Sequence, residues 1–226
     1  MDAHFYTKCW SLILLLLASS VGAEEEGKLV EQVVWDLDNL ESIGGHSVTV
    51  EGRPKVIETA KGKALEFDGE DDGIFLDAHP LAGASTFTVE VIFQPYPNGL
   101  KEQRFFHMQE REGEERVMFE TRLTADDRWF LDAFIQSGEG NYVLYAEDFK
   151  HPIGPWYQAA IVVDGKEMRH YVNGKLEMKR EVTYEAQTQG RTSLGVRINK
   201  VYWYKGAIRQ ARFTPWVLKP EEFLQP

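Results

Sequence analysis

The 226-residue chain carries 36 acidic against 25 basic side chains, a formal charge of −11, with 43% apolar and 12% aromatic content. That much apolar material fills one large core and excludes the disordered and collagen-like classes, while the acid excess leaves no broad positive surface for nucleic acid or an anionic membrane. The single cysteine, Cys9, supplies neither an internal disulfide nor the paired thiolates of a structural zinc site.

The chain begins as an address. Lys8 precedes the apolar run at residues 12–18, which gives way to the small residues at 19–23 and then to Glu24-Glu25-Glu26. This order is that of a secretory signal peptide cleaved after Ala23, and the run is too short to span a bilayer. Export to a secreted or periplasmic location is the expectation, with residues 24–226 as a single domain that does not insert into a membrane. Cys9 lies before the apolar run rather than after the cut, so a lipid anchor is not expected, and removal of residues 1–23 leaves a chain without cysteine.

From Val30 onward the apolar residues recur with period two, the signature of strands whose side chains alternate between two faces. Strands are predicted over Phe87–Phe93, Val117–Leu123, Phe130–Ile135, Tyr142–Tyr145, Trp156–Val163, Met168–Val172, Ser193–Ile198 and Ala207–Phe213. Asp71-Asp72-Gly73, Pro97-Asn98-Gly99, Gly138-Glu139-Gly140, Asp164-Gly165 and Asn173-Gly174 separate them as turn formers. Only Leu218–Phe223 reads as a short helical turn. The sum is an all-β antiparallel sandwich or barrel.

Five segments in order make this specific. Residues 62–69 with Asp72-Gly73-Ile74-Phe75-Leu76, residues 86–95, residues 156–165, Tyr171-Val172-Asn173-Gly174-Lys175 and Tyr204-Lys205-Gly206-Ala207-Ile208 together resemble the laminin-G-like jelly rolls of the concanavalin A-like lectin and glucanase superfamily. The resemblance implies a two-sheet jelly-roll β-sandwich with a concave face that often binds sugar chains, and a Trp156 that provides core area. The same fold hosts lectins, adhesive modules, glucanases and lyases, so activity has to be argued from the site.

Members of that superfamily that act as retaining glucanases carry Glu-x-Asp-x-Glu along one strand; the spacing occurs here at Glu66-Phe67-Asp68-Gly69-Glu70, where Gly69 breaks the strand, so the strand-borne motif is not expected. Strict alternation puts Glu120 and Arg122 on one face with Met118, Asp132 with Phe130 and Phe134, and Arg104 opposite to His107. Glu120 beside Arg122 reads either as an ion pair holding the carboxylate charged or as part of a site. With the Glu120 face as the concave one, Arg104, Glu120, Arg122 and Asp132 are expected to offer donors and acceptors to a sugar, Trp129, Trp203 and Tyr204 stacking surfaces, and His151 the groove edge. The alternative is a charge network buried between the sheets.

A polysaccharide lyase or glycosidase would use Glu120 or His107 for proton transfer and Arg104 or Arg122 to neutralise a uronate. Calcium, common in the superfamily, would be held by Asp68, Asp71 and Asp72, although Arg209 stands where related domains place an acidic residue; otherwise no cofactor is expected. The leading expectation is an exported, non-catalytic module that binds a polysaccharide or glycan, with an enzyme or a protein-binding domain as the alternatives.

Overall fold

The computed structural model describes residues 31–226 besides Met1; the leader expected at residues 1–23 lies outside the described residues. Two antiparallel sheets stack face to face. The first runs β15 (Lys175–Glu181), β14 (Glu167–Val172), β13 (Tyr157–Val163), β7 (Phe87–Pro95), β17 (Lys205–Thr214), β5 (Gly62–Asp68) and β4 (Lys55–Thr59), with β1 (Val33–Asp36) also on β17. The second runs β11 (Gly140–Tyr145), β10 (Arg128–Ser137), β9 (Arg116–Leu123), β8 (Glu102–Glu110), β16 (Gly190–Leu194), β6 (Gly73–Leu76), β3 (His46–Glu51) and β2 (Ser42–Ile43), with β12 (His151–Pro152) on β10. The jelly-roll sandwich expected from the sequence is therefore the fold.

Alternation sets the core. Phe87, Val89, Val91 and Phe93 of β7 face Phe119 of β9 and Trp129, Leu131 and Ala133 of β10 across the sandwich. The Phe93 ring stacks on Phe105 at 4.3 Å, and Trp35 meets Phe213 edge-on at 4.7 Å. Two of the predicted turns have the backbone their residues permit: Asn173 and Gly174 both have positive φ, closing β14 onto β15, and Asn98 does so between β7 and β8.

The outward face of the first sheet is also covered. Leu218 and Phe223 pack on Ala160, Val162 and Tyr171, held by a short 3-10 turn at Pro220–Glu222 that matches the predicted helical turn. This is why β13 is apolar on both sides. The predicted strand Ser193–Ile198 is shorter than expected: β16 stops at Leu194 because Gly195 turns with φ +79°, and a Cβ there would collide with the Phe67 ring. Trp156 is half-buried before β13, its ring 5.5 Å from the Arg209 guanidinium, so it is not the core residue the sequence suggested.

Candidate functional site

The charged residues of β8, β9 and β10 gather on the outward face of the second sheet, not between the sheets. A bulge brings them together. Both Phe105 and Phe106 point into the core, and the β8–β9 register slips between Arg104 and Phe106. The extra residue flips the phase of the strand, so Arg104 and His107 share the outward face, where strict alternation had set them opposite each other. Arg104 then lies opposite Glu120 of β9, and Asp132 of β10 lies on the other side of Glu120.

Three carboxylates and two guanidiniums interlock there. Arg122 reaches Asp132 at 2.6 Å, Glu102 at 2.7 Å and Glu120 at 3.0 Å. Arg104 reaches Glu120 at 2.9 Å and Glu102 at 3.3 Å, with its guanidinium 3.7 Å from the centre of the Tyr202 ring. Glu120 is only 2% exposed, and burial together with the Asp132 charge pushes its carboxyl up to about 7 despite the two arginines. The sequence expectation that Arg122 holds Glu120 firmly ionised is thus corrected: desolvation outweighs the ion pair. Burial raises Asp132 as well, whereas at the more exposed Glu102 Arg122 and Arg104 overcome a smaller burial effect and lower it.

At the Leu123 end of β9 this network opens into a cleft of about 870 Å³. The β9–β10 turn at Thr124–Asp127, the segment after β7 at Asn98–Lys101, and Glu147, Lys150 and Ile153 form its walls. Phe130, Tyr145 and Arg122 line it from the sheet. Tyr145, paired with Asp132 across β10 and β11, is 43% exposed and rests edge-on against Phe130 at 4.7 Å. The cleft therefore offers one aromatic face, a guanidinium and several loop polar groups, the equipment of a small-molecule or sugar site.

A family model described as the concanavalin A-like lectin/glucanases superfamily matches residues 68–223. The chain belongs to that superfamily. Among solved structures, domain 4 of AbnA, a GH43 extracellular arabinanase from Geobacillus stearothermophilus in complex with arabinotriose, matches with a TM-score of 0.64 at 19% identity, covering 85% of this chain and 96% of that one. The receptor binding domain of botulinum neurotoxin C/D mosaic serotype gives 0.63 at 14% identity, covering 85% of this chain and 49% of its own. The binding domain of Paraclostridial Mosquitocidal Protein 1 gives 0.64 at 12%, with 85% and 50% covered, so the chain spans about half of each toxin domain. At these identities the likeness is one of fold alone. No curated protein matches the sequence significantly.

Within this superfamily fold the expected site residues divide. Arg104, Glu120, Arg122 and Asp132 do meet, but only Arg122 lines the cleft. Trp129 and Tyr204 are fully buried in the core, so the expectation that they stack on a sugar is corrected: Trp129 packs on Phe93 and Tyr157, and Tyr204 on Phe67 and Phe105. Trp203 is half-buried three strands away, over Gly73 of β6, where a Cβ would press on its ring. His151 lines a separate hollow of about 530 Å³ and bonds Glu177 at 2.8 Å.

His107 cannot serve as a proton-transfer group. It is fully buried, its Nδ1 accepts the Ile198 amide at 3.0 Å, and burial followed by the arginines around it keeps it neutral. Tyr145 was missed by sequence reasoning; the signal lay in its outward phase on Tyr142–Tyr145.

Asp68, Asp71 and Asp72 lie together, with ligand atoms within 4.8 Å of one another. Backbone groups already occupy much of this set. Asp68 Oδ1 accepts the Glu70 and Asp71 amides, while the two Asp72 oxygens accept the Arg53 and Asp68 amides. The donors therefore suit a self-satisfied acidic turn better than a calcium cage. Arg209 is not what opposes a cation, since its guanidinium lies over Trp156 and donates to the Gln225 carbonyl at 3.3 Å.

Proposed function

We propose that this chain is an exported, non-catalytic carbohydrate-binding module, and that it takes a neutral saccharide in the cleft between Tyr145 and the β9–β10 turn. The observation that carries the reading is the state of Arg122, which lines the cleft but is already bonded to Glu102, Glu120 and Asp132. A guanidinium so neutralised donates to sugar hydroxyls but has no charge to spare for a uronate, which argues against an acidic-polysaccharide lyase here. Lys101 and Lys150 face Asp126, Asp127 and Glu147 across the same walls, so the lining has no strong sign.

Cleavage has little support. Glu120 and Asp132 are each 2% exposed and locked to arginine, and His107 lies beneath the surface, so this network offers the cleft no free acid and base on the two sides of a bond. The arabinotriose complex of the similar arabinanase domain makes that trisaccharide the first probe of a neutral panel. Calorimetric titration of residues 24–226 should show saturable binding to a neutral oligosaccharide without new reducing ends. Tyr145→Ala should weaken it about tenfold, the worth of one aromatic stacking face. Release of products from any panel member would overturn the non-catalytic reading.

A further inference from the structure

The line of paired residues that crosses the second sheet at Glu120 ends in a tyrosine on both sides. In the register Tyr145 of β11 lies opposite Asp132 of β10, Asp132 opposite Glu120 of β9, and Glu120 opposite Arg104 of β8. On the far side of β8, past the end of β16, the Arg104 amide donates to the Tyr202 carbonyl at 2.9 Å, so residue 202 takes the next place in the line. Four strand spacings, roughly 19 Å, separate the two tyrosines across the strands.

The sheet presents the two rings alike. Tyr145 is 43% and Tyr202 39% exposed, and each stands against a guanidinium, Arg122 at 5.6 Å from the centre of the Tyr145 ring and Arg104 at 3.7 Å from that of Tyr202. Between them Glu102, opposite Arg122 in the register and the most exposed carboxylate of the network, bonds Arg122 at 2.7 Å and Arg104 at 3.3 Å. The surface from ring to ring is therefore aromatic at its ends and holds a donor and an acceptor in its middle.

Tyr202 keeps its place against local preference. Its φ is +63°, a region that a bulky side chain rarely enters, and Lys200 two residues earlier stands at +59°. Backbone bonds pin the loop in this shape, from the Lys200 amide to the Arg197 carbonyl and from the Tyr204 amide to the Gly195 carbonyl, both at 2.8 Å. Asparagine or glycine would relieve the backbone there, so an aromatic ring held in that conformation points to a use for the ring.

We propose that Tyr202 is a second stacking platform, and that the ligand is a linear neutral oligosaccharide running across the strands from Tyr145, over Arg122 and Glu102, to Tyr202. The inference rests on the reading of the cleft as a neutral saccharide site and adds the length and direction of the chain. A sugar ring is about as wide as one strand spacing, so a chain of about five units reaches both platforms while a trisaccharide reaches only one.

The test is calorimetric titration of residues 24–226 with linear arabinose and xylose oligosaccharides, from trisaccharide to hexasaccharide. Affinity should rise about tenfold between the trisaccharide and the pentasaccharide and then level off. Tyr202→Asn, which removes the ring but takes a positive φ readily, should abolish that rise and leave trisaccharide affinity unchanged, with a melting midpoint within about 2 °C of the parent. Tyr202→Phe should keep the rise, and Tyr145→Ala should weaken every length. An affinity that is flat with length in the parent, or a rise that survives in Tyr202→Asn, while Tyr145→Ala still weakens binding, would overturn this proposal and leave the cleft reading standing. No binding of any member would overturn both.

Discussion

The two outward faces of the sandwich each bury a glutamate on a central strand, yet they do so for different ends. On the first sheet Glu90 is fully buried under the C-terminal segment, bonded by the Arg212 guanidinium, by Gln158 at 3.2 Å and by the Leu224 amide at 2.7 Å. That face is closed, and its carboxylate ties residues 215–226 to the sheet. On the second sheet Glu120 has two arginines but no covering segment at the Arg122 end, and the network opens into the cleft. A buried ion pair can therefore be a clasp or a floor, and what decides is whether chain lies over it.

The largest effect that sharpens this comparison is expected at the clasp. Arg212→Met leaves Glu90 buried without its cation and frees the Glu222 carbonyl that Arg212 also holds, and should lower stability in urea by about 3 kcal/mol. Arg104→Met, which leaves Arg122 on Glu120, should lose about half as much; equal losses would mean that the two faces do not differ in kind.

Next comes the pH dependence of the floor. Glu120 titrates at about 7 in the folded chain against an ordinary 4.5, so the folded state binds more protons across that range. Its contribution is therefore fully present below pH 4.5 and is lost as pH rises through 7, a change on the order of 3 kcal/mol. Burial raises Asp132 as well, and the Asp132 charge is one of the causes that raise Glu120. Glu120→Gln should flatten this slope. An unchanged slope would remove Glu120 as its source.

The sheet framework was legible in the sequence because period two, turn residues and motif order all report on strands. The Asn173-Gly174 hairpin and the alternation of β9 and β10 came out as read. The site was less legible, for physical reasons tied to particular residues. The Phe105 bulge shifts β8 by one residue, and no alternation rule registers such an insertion. Trp129 and Tyr204 are aromatic and near the charged residues in sequence, which points to the same face, yet both lie on the core phase. The cleft walls at Asn98–Lys101 and Thr124–Asp127 are loops, about which strand periodicity says nothing.

A smaller effect belongs to the open face alone. The Tyr145 side chain is exposed and holds no hydrogen bond among the described residues, its ring meeting only the Phe130 edge and the Arg122 guanidinium, so Tyr145→Ala should lower stability by no more than about 1.5 kcal/mol while weakening saccharide binding. A large loss of stability would make it a packing residue instead. The smallest effect is at the acidic turn: with Asp68 and Asp72 already accepting backbone amides, millimolar calcium should move the melting midpoint by less than about 1 °C. A rise of several degrees that vanishes in Asp71→Asn would assign a cation there.

The open face is expected to meet a neutral sugar through the cleft. Calorimetric titration of the parent and of Tyr145→Ala with a panel of neutral oligosaccharides, followed by analysis of the same samples for products, tests this most directly. Saturable binding to the parent, weakened about tenfold in the variant and with every oligosaccharide recovered intact, is the predicted result. Binding that is indifferent to Tyr145, or no binding to any neutral member of the panel, would contradict it.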